Sequence, residues 1–141
     1  MSFRRACLVM LGFLATACAP ATGSTNPAAY APGAEREEEG LASWYGGAFH
    51  ERTTASGIPF DRHAMVAAHP TLPFGTRVRV HRVSTGRSVE VEIVDRGPAA
   101  GPRRAGVVID LSEAAAERLE FIREGRTRVR IEVVSEPEHA E

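Results

Sequence analysis

The sequence predicts a mainly β domain that closes into a small barrel, and three observations support this fold class. Two runs of alternating apolar residues flank Ser-Thr-Gly-Arg at 84–87, a turn signal typical of a β-hairpin. A third alternating run follows at 126–134. Glycine and proline separate short elements elsewhere, without the regular strand–helix alternation of a parallel sheet.

Length and composition allow one globular domain. The chain has 141 residues, 43% of them hydrophobic, and a net charge of −1. All 17 basic residues are arginine. The net charge argues neither for nor against a nucleic-acid partner. Because no basic run is interleaved with aromatic residues, we expect no nucleic-acid partner.

Residues 1–17 resemble a bacterial lipoprotein signal peptide. MSFRR is positively charged, ACLVMLGFLA is apolar but too short to span a bilayer, and small residues precede Cys18. The resemblance implies cleavage before Cys18 and attachment of diacylglycerol to its sulfur. Ala19 after the cysteine favours the outer membrane, so we expect a lipid anchor facing the periplasm. The alternative is a plain secretory peptide with an incidental cysteine.

Composition predicts the domain boundaries. Residues 18–40 are mostly Ala, Pro, Thr, Gly, Ser and Glu, which cannot bury enough apolar surface to offset the entropy lost on ordering. We therefore expect a tether at 18–40, the folded domain at 41–135 and an acidic tail at 136–141.

The hairpin register follows from taking Thr85-Gly86 as the loop pair. This register places apolar residues opposite each other on one face and opposite charges on the other. It also places Asp95 beside Thr76, at the open end of the hairpin. The predicted pairs are Val80–Val91, Val78–Ile93, His81–Glu90 and Arg79–Glu92.

A strand and a helix are predicted between the hairpin and the last alternating run. Val107 to Ile109 form a short buried strand, and Ser112 is a candidate N-cap. Asp110 is expected to stabilise the start of this helix, with a catalytic role as the alternative. Gly125 is expected to end the helix. Its apolar stripe comprises Leu111, Ala115, Leu119 and Ile122.

The segment before the hairpin combines aromatic residues with glycines, prolines and hydroxyl groups. Sugar polymers stack their C–H faces on aromatic rings and donate hydrogen bonds from their hydroxyls, so this composition suits a glycan. The alternative is that these rings fill the core of a small barrel. The aromatic residues are Trp44, Tyr45, Phe49, Phe60 and Phe74.

Several motifs in this chain resemble those of the rare lipoprotein A (RlpA) family. They are ASWYG, F-H-x-R-x-TASG, PFD, AAH-x-TLPFGT, GRSV, DRGP and IDLSEAAA, in this order over about residues 40–134. The resemblance implies a six-stranded double-psi β-barrel with one or two short helices. It also implies septal endolytic peptidoglycan transglycosylase activity on glycan strands. A septal role implies partners at the division site, none of which the sequence identifies.

The resemblance also implies site residues. Asp95 in DRGP takes the place of a general acid, although on its own it could equally form a turn or pair with the arginine that follows. Asp61 in PFD and His69 in AAH match an acid and a histidine of the family site. The family glutamate after TASG is replaced by Ile58. Glu51, where family members usually have glycine, is a candidate substitute acid.

Contacts to the substrate are expected from a second set of residues. The aromatic rings of Trp44, Tyr45 and Phe60 are expected to stack on sugar rings. Polar contacts are expected from Arg96, Thr54 and Ser56, although the two hydroxyls could instead bond within their own loop. No cofactor is expected. The histidines and acids of this segment fit no familiar metal-ligand spacing, so no metal is expected.

Two functions of different class are consistent with these residues. The first is a lytic transglycosylase, in which the C6 hydroxyl of the sugar attacks its own anomeric carbon and gives a 1,6-anhydro product. Because this nucleophile is intramolecular, one proton-shuttling carboxyl group can suffice. The alternative is a lipid-anchored peptidoglycan-binding protein with weak or no catalysis, because Ile58 cannot carry a proton.

Overall fold

A computed structural model describes residues 36–138, which form a closed six-stranded barrel with two short α-helices. The barrel order is β1-β5-β2-β4-β3-β6, and this architecture confirms the predicted fold class. The predicted signal peptide, Cys18 and nearly all of the predicted tether lie outside the described residues. The elements are β1 (Glu37–Tyr45), β2 (Val66–Ala68), β3 (Arg77–Arg82), β4 (Ser88–Asp95), α1 (Ala100–Arg104), β5 (Val107–Ser112), α2 (Glu113–Arg118) and β6 (Arg126–Ser135).

The barrel interior is filled by alternate residues of the strands, because successive side chains of a strand point to opposite faces. Phe121, which follows α2, is fully buried and extends this core. No helix among residues 36–138 is long and apolar enough to cross a membrane. The strand residues of the core include Ala42, Ala67, Val78, Val80, Val91, Ile93, Ile109, Leu111, Val129 and Ile131.

The predicted hairpin register is wrong by two residues. Val78 pairs with Val91, and Arg79 pairs with Glu90 through a 2.7 Å ion pair. The turn is longer than predicted. The last hydrogen bond between the two strands runs from the Arg82 amide to the Arg87 carbonyl, so the loop comprises residues 83–86. A shift of two residues keeps every side chain on its predicted face, so the core assignment is unaffected.

The same shift changes the neighbour of Asp95. The backbone carbonyl of Thr76 accepts from the Ile93 amide at 2.9 Å, so Thr76 lies beside Ile93 rather than Asp95. Asp95 instead aligns with Ala68 of the parallel strand β2. The end of β4 therefore faces β2 and its following loop.

Strand β1 begins at Glu37, inside the segment predicted to be a tether up to residue 40. Its acidic start pairs with β6, where Glu39 lies opposite Arg130. Arg130 also forms an ion pair with Glu37. The glutamates are therefore ordered because arginines of a distant strand lie next to them, which local composition does not reveal.

Helix α2 is shorter than predicted. Its N-cap is confirmed, because the Ser112 hydroxyl accepts from the Ala115 amide at 3.3 Å. The helix ends at Arg118 rather than near Gly125, and Glu120 adopts a left-handed φ of 58° that redirects the chain. Leu111, assigned to the helical stripe, belongs to β5.

Candidate functional site

The carboxylate of Asp95 lies at the end of β4 and holds a neighbouring loop. Its Oδ1 accepts from the backbone amides of Ala55 and Arg96, each at 2.8 Å. The Ser56 amide donates to the carbonyl of Val94 at 3.3 Å, so the TASG loop docks against this strand end. Asp95 is half-buried, and among residues 36–138 it forms no ion pair with the Arg96 guanidinium.

Asp95 belongs to a row of aligned residues that crosses four strands. Asp95 aligns with Ala68 of β2, Ala68 with Asp110 of β5, and Asp110 with Ser43 of β1. Residues directly opposite one another in a sheet share a face, and each strand step is about 4.8 Å. The Cα atoms of Asp95 and Asp110 are therefore roughly 10 Å apart, and the residue aligned between them is Ala68. We call Ser43, Asp110, Ala68 and Asp95 the acidic row.

Asp110 does not stabilise the helix start, which corrects its predicted role. Its Oδ1 instead accepts a short hydrogen bond from the Ser43 hydroxyl. Burial raises the pKa of the Asp110 carboxyl group, and the Ser43 bond and the charge of Arg126 only partly oppose this shift. An acid with a burial-raised pKa beside a second acid is typical of functional sites.

The phenol of Tyr45 lies near both carboxylates of the acidic row. Its ring packs on Phe60 at 4.3 Å between centroids and meets the edge of Phe49 at 5.7 Å. Burial, followed by the charges of Asp95 and Asp110, raises the tyrosine pKa, so the hydroxyl keeps its proton. This hydroxyl is buried and has no hydrogen-bond partner among the described residues. A buried hydroxyl without a hydrogen-bond partner is uncommon in proteins.

Gly97 allows the DRGP turn to pass close to the acidic row. A Cβ atom at this position would lie 3.2 Å from the Ala68 Cβ and 3.2 Å from Oδ2 of Asp110. Both contacts are tighter than ordinary van der Waals packing. The turn that begins at Asp95 therefore also covers Asp110.

The structure separates the imidazole of His69 from the acidic row. The side chain is 2% exposed, and its Nδ1 accepts from the amides of Thr71 at 3.2 Å and Leu72 at 3.1 Å. The ring proton therefore resides on Nε2, which donates to Glu38 at 2.9 Å. The ring lines a cavity of about 310 Å³ whose lining includes neither Asp95 nor Asp110. Only the backbone of His69 contacts Asp95, through an N–H···O bond of 3.1 Å.

Asp61 also forms local contacts rather than contacts with the acidic row. Its Oδ1 accepts from the His63 amide at 2.9 Å and lies 3.9 Å from Nδ1 of His50. The catalytic roles of Asp61 and His69 remain predictions. Glu51 is exposed and adopts a left-handed φ of 65°, which explains why glycine suits this position.

The hydroxyl groups of the TASG loop form contacts within the loop. Thr54 is 5% exposed, and its hydroxyl contacts Ser56 Oγ at 2.9 Å and the Ile58 carbonyl at 2.9 Å. These contacts agree with the alternative that both hydroxyls bond within their own loop, and the substrate contacts of Thr54 and Ser56 stay predictions. The side chain of Ile58 is 48% exposed. The position of the family glutamate is thus open to solvent on the loop that holds Asp95.

One of the predicted stacking rings is buried and another is half-buried. Phe60 is 2% exposed and offers no face to a sugar in this structure, so its stacking role stays a prediction. Trp44 packs partly against the core, with its ring over Gly46. Phe49, which was not assigned to the site, is 46% exposed beside Tyr45 and presents an aromatic face. Exposure of a large aromatic residue depends on tertiary packing, so the sequence alone did not identify it.

The guanidinium of Arg96 braces the loop that follows β2. It donates to the carbonyls of Leu72 at 2.8 Å and His69 at 3.2 Å, and it lies 3.8 Å from the centroid of Phe74. Within residues 36–138, no cluster of three or more His, Cys, Asp or Glu side chains is arranged to hold a metal ion.

Comparisons with known proteins match the barrel. The family model described as lytic transglycolase matches residues 37–131. The endolytic peptidoglycan transglycosylase RlpA of Neisseria meningitidis is 46% identical over 101 residues, which cover 72% of this chain and 41% of the relative. The probable RlpA of Aquifex aeolicus is 54% identical over 86 residues, which cover 61% and 36%. The chain thus spans less than half the length of these curated relatives.

Solved structures share the fold. The Streptomyces papain inhibitor superposes with a TM-score of 0.55 at 24% identity, and the match covers 71% of this chain and 96% of the inhibitor. The apo expansin of Clavibacter michiganensis superposes with a TM-score of 0.55 at 22% identity, covering 73% and 52%. At these identities the similarity concerns the barrel architecture alone.

Proposed function

Since the chain belongs to the RlpA family of double-psi β-barrel proteins, we propose that it is an endolytic peptidoglycan lytic transglycosylase. The observation that carries this proposal is the acidic row, in which Asp95 and Asp110 flank the small side chain of Ala68. The relatives named as peptidoglycan transglycosylases support the substrate class. The cleaved bond is the β-1,4 linkage on the anomeric carbon of N-acetylmuramic acid.

Asp95 carries the proton in the proposed reaction. Its carboxyl group protonates the glycosidic oxygen while the bond from that oxygen to the anomeric carbon breaks. The C6 hydroxyl of the same sugar then bonds to the anomeric carbon and returns its proton to Asp95. The products are a 1,6-anhydromuramic end and a free hydroxyl on the leaving sugar, and no water is consumed. The Tyr45 hydroxyl lies near Asp95 and Asp110 and keeps its proton, so this phenol adds no negative charge to the site.

The experiment that tests the proposal is product analysis. Purified full-length protein is incubated with purified sacculi, and soluble products are identified by mass spectrometry. Anhydro-terminated fragments support the proposal. Reducing-end products, which would require water as nucleophile, would contradict it.

A second candidate is glycan binding without turnover, and Ile58 favours it. This residue occupies an exposed position on the loop whose Ala55 amide holds Asp95, and its side chain has no ionisable group. General acid–base groups contribute about 10²–10⁴-fold to rate, so a missing participant could leave binding without measurable cleavage. Cosedimentation with sacculi in the absence of any anhydro product would identify this function.

Replacing Asp110 by asparagine is expected to stabilise the fold at neutral pH. Burial raises the folded-state pKa of this carboxyl group, so its contribution to stability is full below the unfolded pKa of about 3.9 and is lost as the pH rises through the raised value. Asparagine carries no charge to bury and can still accept from Ser43. The melting temperature of the variant should therefore exceed that of the wild type at pH 7, and the difference should shrink toward pH 4.

Activity provides the second readout for this variant. If Asp110 takes part in the reaction, the Asp110→Asn protein should be more stable than the wild type but release fewer anhydro products. Functional sites commonly lower the stability of a protein in this way. A stability difference that grew toward acid pH would contradict the assigned burial of the charge.

We further propose that Cys18 carries the lipid that holds the barrel at the periplasmic face of the outer membrane. The support is the signal-like sequence before it. A clickable palmitate analogue should label the wild type and not Cys18→Ser when each is expressed in a diderm bacterium. Equal labelling of both proteins would contradict lipidation at this residue.

A further inference from the structure

A second cavity lies beside the acidic row at the DRGP turn. It has a volume of about 290 Å³ and is lined by Arg96, Gly97 and Pro98 from the turn and by Arg103 from α1. Gly97 contributes to both sites, because a Cβ atom there would contact Oδ2 of Asp110. Arg96 lines this cavity and follows Asp95 directly in the chain. A ligand bound in the cavity therefore lies close to the strand end that carries Asp95.

Two arginines line this cavity and bring positive charge to it. Neither Arg96 nor Arg103 forms an ion pair within the described part of the chain. Other arginines of the barrel do form such pairs, for example Arg82 with Glu124 at 2.9 Å. The neighbouring acid, Asp95, accepts from the Arg96 amide rather than from its guanidinium.

Arg96 is also held in place. Two backbone carbonyls accept from its Nη1, and its guanidinium lies on the ring of Phe74. Carbonyl groups orient the cation without cancelling its charge, and a pre-ordered guanidinium loses little further entropy when it binds an anion. Arg103, exposed on α1, supplies a second cation at the cavity rim.

We propose that this cavity is a carboxylate-binding subsite for the glycan, with Arg103 as its specificity-determining residue. The inference rests on the proposed peptidoglycan substrate. Muramic acid bears a lactyl group whose carboxyl is either free or joined to a peptide, and the peptide itself ends in carboxylates. Guanidinium groups suit planar carboxylates because they can donate two parallel hydrogen bonds. A carboxylate bound here would position the muramic acid linkage against Asp95.

The test measures the affinity of Arg103→Gln for defined glycans, with both wild type and variant carrying Asp95→Asn so that cleavage does not interfere. Three substrates are compared: strands stripped of peptides, peptide-bearing sacculi, and stripped strands whose carboxyl groups are converted to uncharged amides. Arg103→Gln is expected to weaken binding to a carboxylate-bearing substrate about 5-fold, the range of a charge-assisted hydrogen bond that is partly exposed. If the bound group is the lactyl carboxylate, amidation should weaken wild-type binding by a similar factor and leave Arg103→Gln unaffected.

Arg104→Gln is the matched control, because Arg104 is the next residue of the same helix and does not line the cavity. It should bind all three substrates as the parent protein does. An effect confined to stripped strands identifies the lactyl carboxylate, and an effect confined to sacculi identifies a peptide carboxylate. Equal losses for Arg103→Gln and Arg104→Gln, or no loss for Arg103→Gln on either stripped strands or sacculi, would overturn the subsite. A loss on stripped strands that persists after amidation would overturn it as well.

The outcomes separate this inference from the proposed activity. If wild-type protein releases no anhydro product but binding still depends on Arg103, the subsite stands and the catalytic proposal fails. If anhydro product is released but Arg103→Gln binds every substrate like its parent, the catalytic proposal stands and the subsite fails.

Discussion

Asp95→Asn is expected to reduce release of 1,6-anhydro fragments by about 10²–10⁴-fold, the usual contribution of a positioned proton donor. The reason is that asparagine cannot deliver a proton to the glycosidic oxygen or take one from the C6 hydroxyl. The measurement is the initial rate of anhydro product release from sacculi, followed by mass spectrometry. Binding to sacculi should remain within a few-fold of wild type.

This substitution removes the titrating proton of residue 95 but preserves the hydrogen bonds around it. Oδ1 of Asp95 accepts from the amides of Ala55 and Arg96, and the amide oxygen of asparagine can accept both bonds. The TASG loop should therefore stay docked, and the melting temperature should change little. Retention of more than about a tenth of the wild-type rate would rule out Asp95 as the proton carrier, since a catalytic acid–base group contributes far more than that.

Local alternation was sufficient to predict β3, β4 and β6, but not how they align, and it did not reveal β1 or β2. The hairpin faces were predicted because a period of two survives any even shift of register. The register itself depends on where the turn closes, and the turn spans Val83 to Gly86 rather than the Thr85-Gly86 pair alone. Both loops keep Val78 and Val80 inside, so the hydrophobic pattern could not distinguish them.

The start of β1 shows a limit of composition. A run of glutamates is typical of an exposed or disordered segment, yet Glu37 and Glu39 lie in a strand beside Arg130. The partner arginine is about 90 residues away in the chain. Charge complementarity between distant strands is invisible until the strand order is known.

Only part of the site was predicted, and the reason is similar. Asp95 stands where an alternating strand meets Arg-Gly-Pro, which is a local signal, and its role as a general acid came from the resemblance to the RlpA family. Asp110 was assigned to the helix that follows it, because its alignment with Ala68 and thus with Asp95 arises from parallel and antiparallel pairing of three separate strands. The sequence did offer one signal that Asp110 belongs to the site: it is an acid at an outward-facing position of a buried strand.

Ile58 bears most directly on whether this barrel turns over its substrate. It lies on the loop that the Thr54 side chain closes through the Ile58 carbonyl and that the Ala55 amide joins to Asp95. Its side chain is about half exposed, so a carboxylate there would cost the fold little, since substitutions at such surface sites usually change stability by less than about 0.5 kcal/mol. The geometry thus allows an acid at this position, and the chain lacks one.

Ile58→Glu is therefore expected to increase the rate of anhydro product release by about 10²-fold, the lower end of the contribution of an acid–base participant. The matched control is Ile58→Gln, which has nearly the same shape and polarity as glutamate but no titrating proton. Initial rates on sacculi are compared for the three proteins, together with cosedimentation to measure binding. Glutamate should raise the rate without tightening binding, and glutamine should leave the rate unchanged.

The pattern of rates also decides between the two candidate functions. If the native protein gives no anhydro product and Ile58→Glu does, the native barrel is a glycan-binding module whose remaining machinery is intact. If the native protein is active and glutamate adds nothing, Asp95 alone suffices as the proton shuttle, which is chemically reasonable because the C6 hydroxyl is an intramolecular nucleophile. An equal gain for glutamate and glutamine would mean that polarity at residue 58, and not a proton, limits the reaction, and the acid–base explanation of the missing glutamate would then be wrong.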